Sequence, residues 1–270
     1  MGRIFYVSSM HGDDTNSGQT PEDAFRSLRK INQLEIQPGD QIFLERGSVF
    51  IGEYLHLYAG GTKEAPVVVD AYGEGALPRI EADGNGIWYQ NYGGHLDNVV
   101  HTWKGYLSSA VLLYDAEYIS IRNLEITNNP CIKNERLNQA DRMNRTGVSV
   151  IAQNHGTLHQ IELDHLYIHG VEGNIYDKHL NNGGIYMSVS RPDDEEKTGI
   201  ARYDGIHIHH CKVENCRRWG IAAGYTYQHD KFTTLELPDE VVKTYGSTNV
   251  VIEHNFVKDI GGDGITPMYC

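Results

Sequence analysis

An internal repeat constrains this chain more than any other feature. Residues 119–126, 161–168, 206–213 and 250–257 align, with starts 42, 45 and 44 residues apart. Each copy is apolar at its first, third, sixth and eighth positions, except that Asn255 takes the sixth place in the last copy. Alternation over three residues makes a short strand with one buried face. The two-residue skip that follows is a bend, after which a second short strand points inward again. Val171, Cys216 and Ile260 add an inward residue three places further on. The pairs Gly147-Val148, Gly184-Ile185, Gly220-Ile221 and Gly264-Ile265 follow the four copies. A unit of this size cannot bury its apolar side alone. Stacked ~4.8 Å from the next copy, it closes a continuous interior and pairs every strand in parallel. Ile121, Leu163, Ile208 and Ile252 then form a file through that interior. No segment keeps apolar residues at i, i+3, i+4 and i+7 over several turns. An antiparallel sandwich would need turn signals every ~8–12 residues, far closer than this repeat. The expected fold is all-β: a right-handed parallel β-helix, a single solenoid domain over residues 1–270.

The first hundred residues fit the same plan. Residues 21–32 read as one amphipathic helix, N-capped by Thr20 with Pro21 in the first turn, placed to cap the open end of the solenoid. Strand-like runs follow at 41–44, 66–72 and 79–82. The last repeat reaches Cys270 without a polar cap, so a further C-terminal segment or an oligomer partner is expected to cover it.

A net charge of −13 argues against nucleic acid and anionic membranes as partners, because binding phosphate needs a basic surface. No apolar run approaches the ~20 residues of a membrane-spanning helix. The N-terminus lacks the order of a signal peptide, which leaves a cytoplasmic protein and a mature exported one both open. Of the four cysteines, Cys211 and Cys216 fall at inward positions and read as buried free thiols. No phosphate-binding loop, nucleophile elbow, zinc signature or dinucleotide fingerprint is present.

The opening Tyr6-Val7-Ser8-Ser9, then Gly12-Asp13-Asp14, Gly18, Pro21, Ala24-Phe25 and Pro38-Gly39-Asp40-Gln41-Ile42, resembles the N-terminus of right-handed parallel β-helix carbohydrate-active enzymes. The later units of Asn or Cys followed by Gly-Ile resemble the repeats of that pectate-lyase-like superfamily. The resemblance spans nearly the whole chain. It implies the fold and a carbohydrate ligand, but not the reaction, because such folds host lyases, hydrolases, esterases and non-catalytic adhesins.

Long loops at 127–146, 172–182, 191–203 and 225–247 interrupt the repeats and are expected to wall a groove on one side. Asp263, in Gly261-Gly262-Asp263-Gly264-Ile265, is the leading catalytic candidate: its charge must face out, and Trp219 holds the same register one repeat earlier. The resemblance supports an acid at such a strand edge without assigning its role. Glycosidic hydrolysis needs a second carboxyl group. Asp177, Asp230 and Asp259 are the candidates, although Asp259 aligns with Asn215, Gly170 and Asn128 and so fits a row of turn-bonding side chains equally. Trp219, Tyr225, Tyr227 and His229 offer flat rings for sugar faces, with Arg217, Arg218 and Lys178 as charged donors. His207 and His209 alternate with Ile206 and Ile208, which places them on a solvent face, and no metal site is expected. The reading is a glycoside hydrolase on a polysaccharide or oligosaccharide, without a cofactor. The alternatives are a lyase acting on a uronate-containing glycan, for which Ca²⁺ is a possible cofactor, and a non-catalytic glycan-binding or adhesin module.

Overall fold

The structure is a computed structural model that describes residues 2–93, 103–129, 143–177, 180–232 and 236–269. It is mostly β, built on three parallel sheets. The first orders Ile4–Val7, Gln41–Glu45, Val67–Tyr72, Ile119–Arg122, Thr157–Asp164, Arg202–His209 and Thr248–Glu253 side by side. The second runs from Val49–Ile51 through Arg79–Glu81, Glu125–Asn128, Tyr167–Val171 and Lys212–Cys216 to Phe256–Ile260. The third runs from Leu55–Leu57 through Lys104–Tyr114, Arg145–Ala152, Gly183–Val189 and Trp219–Thr226 to Asp263–Pro267. From Ile119 onward the chain visits the three sheets in turn, once per repeat. Ile87–Asn91 departs from this plan and pairs antiparallel with Lys104–Tyr114. Among the described residues no helix is long and apolar enough to cross a membrane.

The expected interior file exists. Ile121 pairs in register with Leu163, Leu163 with Ile208, and Ile208 with Ile252. The first three are fully buried, and each such side chain contributes about 1.5–3 kcal/mol of transfer free energy. In the last repeat Ile252 is half-buried.

The two-residue skip is a corner made by one left-handed residue. Asn123, His165, His210 and His254 occupy it with φ of 57°, 50°, 53° and 53°. Few non-glycine side chains tolerate this region, and Asn, Asp and His are enriched among those that do. Asn255, which breaks the apolar pattern, serves the same corner. It accepts from the Cys211 backbone N–H at 2.9 Å and donates to the Ile208 carbonyl at 2.8 Å, stitching the last repeat to the one before.

Two expectations need correction here. Residues 21–32 are not one helix: a 3₁₀ turn at Pro21–Asp23 and a short α-helix at Leu28–Asn32 are separated by extended chain. Phe25 causes the break. Its N–H donates to the Tyr6 carbonyl at 2.9 Å and its own carbonyl accepts from Ser8, so it pairs with the edge of the first sheet. Thr20 does cap the 3₁₀ turn, accepting from Asp23. The row of Asp259 is also shorter than expected. Gly170, Asn215 and Asp259 are aligned left-handed residues with φ of 61°, 53° and 53°. Asn128 instead pairs with Val171, because its strand lacks the extra residue at this bend. It therefore turns inward, fully buried, and donates to the Thr146 carbonyl at 2.9 Å while accepting from Gly84 N–H at 2.9 Å.

Cys211 and Cys216 are buried free thiols, as expected, and burial pushes both up to about 12. Cys131 and Cys270 lie outside the described residues.

Candidate active site

The first two sheets present their outer faces to solvent, whereas the middle strands of the third sheet are buried on both faces. Every residue of Arg145–Ala152, Gly183–Val189 and Trp219–Thr226 is buried. The Gly-Ile units make this possible. Both residues of a unit turn toward the core, and the outward rows resume on either side. A β-carbon on Gly147 would lie 2.5 Å from Ile168 Cγ2, and one on Gly184 would lie 2.5 Å from Val213 Cγ1, so only glycine fits. Thr146 and Ser149, flanking Gly147-Val148, both face outward, with hydroxyl oxygens 2.8 Å apart.

The strand Ile87–Asn91 and the segment 180–182 cover that outer face. Trp88 Nε1 donates to Ser109 Oγ at 2.8 Å, and Ser109 in turn donates to Ser149 at 2.9 Å. Gln90 Nε2 reaches Asn181 Oδ1 at 3.0 Å and Ser188 Oγ at 3.2 Å, while Asn181 N–H donates back to Gln90 Oε1 at 2.9 Å. A buried polar network of this kind is stabilising only when its members are paired.

Toward the last two repeats the cover changes from amides to aromatic rings and charges. Tyr186 stacks on Tyr225 with centroids 5.7 Å apart at 13°, and Trp219 meets both edge-on at 6.4 and 6.2 Å. The Arg218 guanidinium lies 4.4 Å above the Trp219 ring. Asp177 arrives from the loop after Tyr167–Val171. Asn174 Oδ1 accepts from the Tyr176 and Asp177 N–H groups, an Asx turn that sets the loop, and Asn182 Nδ2 donates to the Asp177 carbonyl. Asp177 is 8% exposed. Burial holds the Tyr186 hydroxyl well above its ordinary range; Tyr92, Tyr225 and Asp177 push the same way and the Arg218 charge opposes them. Tyr186 is thus a neutral hydroxyl in electrostatic reach of one acid and one cation.

Buried polar atoms without a hydrogen-bond partner collect at this end of the sheet. Among the described residues they include Arg218 Nε, Trp219 Nε1, His229 Nδ1 and Thr266 Oγ1. Unpaired donors of this kind cost roughly 1–3 kcal/mol each unless a ligand or water meets them. Arg218 and Trp219 carry donors only, so the ligand they suit brings acceptor oxygens.

The structure gathers five of the expected residues, Asp177, Arg218, Trp219, Tyr225 and Asp263, on or beside one sheet face. Asp263 pairs in register with Trp219 and is exposed on the outermost strand. Tyr225 and Tyr227, expected in the 225–247 loop, are buried at 6% each, as is Trp219 at 2% in the strand register expected for it. The physical reason is that the strand continues through Thr226 and packs beneath the loops. Tyr227 OH donates to Glu195 Oε2 at 2.8 Å, linking the 191–203 and 225–247 loops, and burial pushes its hydroxyl up to about 12. His229 and Asp230 open a 3₁₀ turn at His229–Phe232, the histidine half-buried and the aspartate exposed. Arg217 turns away to Glu172, Nε to Oε2 3.0 Å. Asp259 lies on the second sheet, exposed and 3.3 Å from Lys258 Nζ, which removes it from this face. Lys178 lies outside the described residues. Tyr186, Asn174 and Asn182 were not singled out from the sequence. The signal available for Tyr186 was its aromatic ring at an outward place two residues after Gly184.

Over its full length the chain is 54% identical to the GH136 lacto-N-biosidase of Eubacterium ramulus, whose selenomethionine crystal structure matches with a TM-score of 0.97. The native crystal structure of that enzyme matches equally, with 54% identity and a TM-score of 0.97 over 99% of this chain. The chain is also 39% identical, over 305 aligned residues, to the lacto-N-biosidase of Bifidobacterium longum subsp. longum. It spans 43% of the solved Eubacterium chain and 19% of the Bifidobacterium relative. No family model matches. These matches overturn the pectate-lyase-like resemblance, because the proteins this chain follows from end to end are GH136 lacto-N-biosidases. The expectation of a glycoside hydrolase agrees with them.

Proposed function

We propose that this chain is part of a glycoside hydrolase of the GH136 lacto-N-biosidase type, that it cleaves a glycosidic bond in an oligosaccharide, and that the outer face of its third sheet is the sugar site. The finer architecture proposed for it is a parallel β-helix, supported by strands that pass through three sheets once per repeat with the interior file in register. The observation that carries the functional reading is the collection of buried, unpartnered donors around Trp219 and Arg218, beside a buried acid and next to an exposed one, in a chain similar throughout to lacto-N-biosidases.

In this reading the faces of Trp219, Tyr186 and Tyr225 pack against pyranose rings. Arg218, His229 and Trp219 Nε1 donate to hydroxyl oxygens. Asp263 and Asp177 are the two carboxyl groups that hydrolysis requires, one protonating the leaving oxygen and the other acting on the anomeric carbon or on water. Asp230 remains a rim candidate.

The test is release of disaccharide from an oligosaccharide ending in lacto-N-biose, assayed in the protein that carries this chain. Asp263→Asn and Asp177→Asn are each expected to lower turnover on the order of 10²–10⁴-fold with the circular dichroism unchanged. Turnover at the wild-type rate in both variants would refute the assignment. Unsaturated, ultraviolet-absorbing products would instead identify a lyase.

A further inference from the structure

The outer face of the first sheet, a different sheet from that of the proposed sugar site, carries a cluster that the proposed hydrolysis leaves unused. Glu162 on Thr157–Asp164 and His207 and His209 on Arg202–His209 present ligand atoms that all lie within 4.8 Å of one another. We propose that these three side chains form a binding site for a divalent transition-metal ion of the zinc type, clamping two strands of the first sheet together.

Three features support it. The first is spacing. Donors around a tetrahedral zinc at ~2.0–2.1 Å stand about 3.3 Å apart, and His209 Nε2 lies 3.3 Å from Glu162 Oε1. The second is orientation. His209 Nδ1 lies 3.0 Å from Asp164 Oδ1 and 2.9 Å from His210 Nδ1, and these neighbours hold the ring with its Nε2 toward Glu162. Glu162 is held in the same way, its Oε2 accepting from Ser120 Oγ at 2.5 Å and leaving Oε1 toward the histidines. The third is access and rigidity. The donors sit on paired strands, the His207 and His209 rings stack at 3.9 Å, and Glu162 and His207 line an open groove of about 520 Å³ through which an ion can enter. Imidazole with carboxylate suits Zn²⁺ or Ni²⁺ far better than Ca²⁺ or Mg²⁺.

Calorimetric titration of the metal-free chain with Zn²⁺ tests this, followed by visible absorption of the Co²⁺-loaded form. One equivalent of Zn²⁺ is expected to bind, and Ca²⁺ is not. His209→Ala and Glu162→Gln are each expected to abolish stoichiometric uptake, and Asp164→Asn to weaken it about 10–100-fold. His254→Ala, outside the cluster, should leave it unchanged. The absence of stoichiometric zinc uptake by the wild-type chain would overturn the proposal. So would uptake that survives both His209→Ala and Glu162→Gln, or uptake lost in His210→Ala but retained in His209→Ala, which would move the ion to the adjoining group of Asp164, His165 and His210. Because binding is read directly, failure here leaves the hydrolase reading untouched.

Discussion

The outer faces of the first and third sheets begin from the same backbone plan and end in opposite environments. On the first sheet the outward residues of Arg202–His209 stay partly exposed between buried inward ones, and the face carries serine, glutamate and histidine. On the third sheet the equivalent residues of Gly183–Val189 are all buried. The difference is made by chain that lies outside the repeat. Ile87–Asn91 and residues 180–182 pack over the third sheet, and among the described residues no comparable strand covers the first. A face of a stacked repeat is therefore buried when a neighbouring insertion covers it, and the polar side chains beneath must then be paired or left for a ligand.

Matched substitutions on the two faces should separate them sharply. Tyr186→Ala, beneath the cover, is expected to cost about 3–5 kcal/mol in denaturant unfolding, the usual range for deleting a buried aromatic ring. A loss below about 1 kcal/mol would mean that the cover is loose and the comparison fails.

Histidines supply the next test. His56 lies on the covered face, 6% exposed, with Nε2 donating to the Ser109 carbonyl at 2.9 Å, and burial lowers its pKa to about 4. The unfolded chain therefore takes up this proton more readily than the folded one. The stability His56 supports is complete above pH ~6.5 and is lost as the pH falls toward ~4, reaching about 3 kcal/mol at the acid end. Urea midpoints between pH 7 and pH 4 should show this slope, and His56→Gln should flatten it. An unchanged slope in that variant would assign the acid sensitivity to other groups.

A smaller effect is expected within the amide network. Gln90→Ala strands the buried Asn181 backbone N–H and should cost about 1–3 kcal/mol, read as a shifted thermal midpoint. Smallest of all, His207→Ala on the open face, measured without metal, should fall within about 0.5 kcal/mol of wild type. A larger loss there would show that the first sheet's face is more constrained than its exposure indicates.

Much of this was legible in the residues. Ile121, Leu163 and Ile208 declared themselves by strict alternation, since a one-residue slip would have turned each of them to solvent. Asp263 and Trp219 were placed in register by the same arithmetic. The skip before the second strand was visible as a bend, but His165, His210 and His254 gave no sign that they adopt the left-handed region, because a histidine at a corner looks like any polar residue. Phe25 was misread for a related reason. Its spacing suits a helix face, and only the nearby sheet edge offers its backbone a better pairing. The neighbours of Asp177 were beyond reach, because the loop that carries it is positioned by Asn174 and Asn182 across chain with no repeat.

Local spacing alone determined which residues point inward, how long each repeat is and that the strands stack in parallel, because side-chain direction along a strand has period two and a stacked interior tolerates no other pattern. Only the tertiary structure decided what becomes of the residues that point outward. Their burial depends on segments distant in sequence, and no local periodicity records where a strand such as Ile87–Asn91 docks.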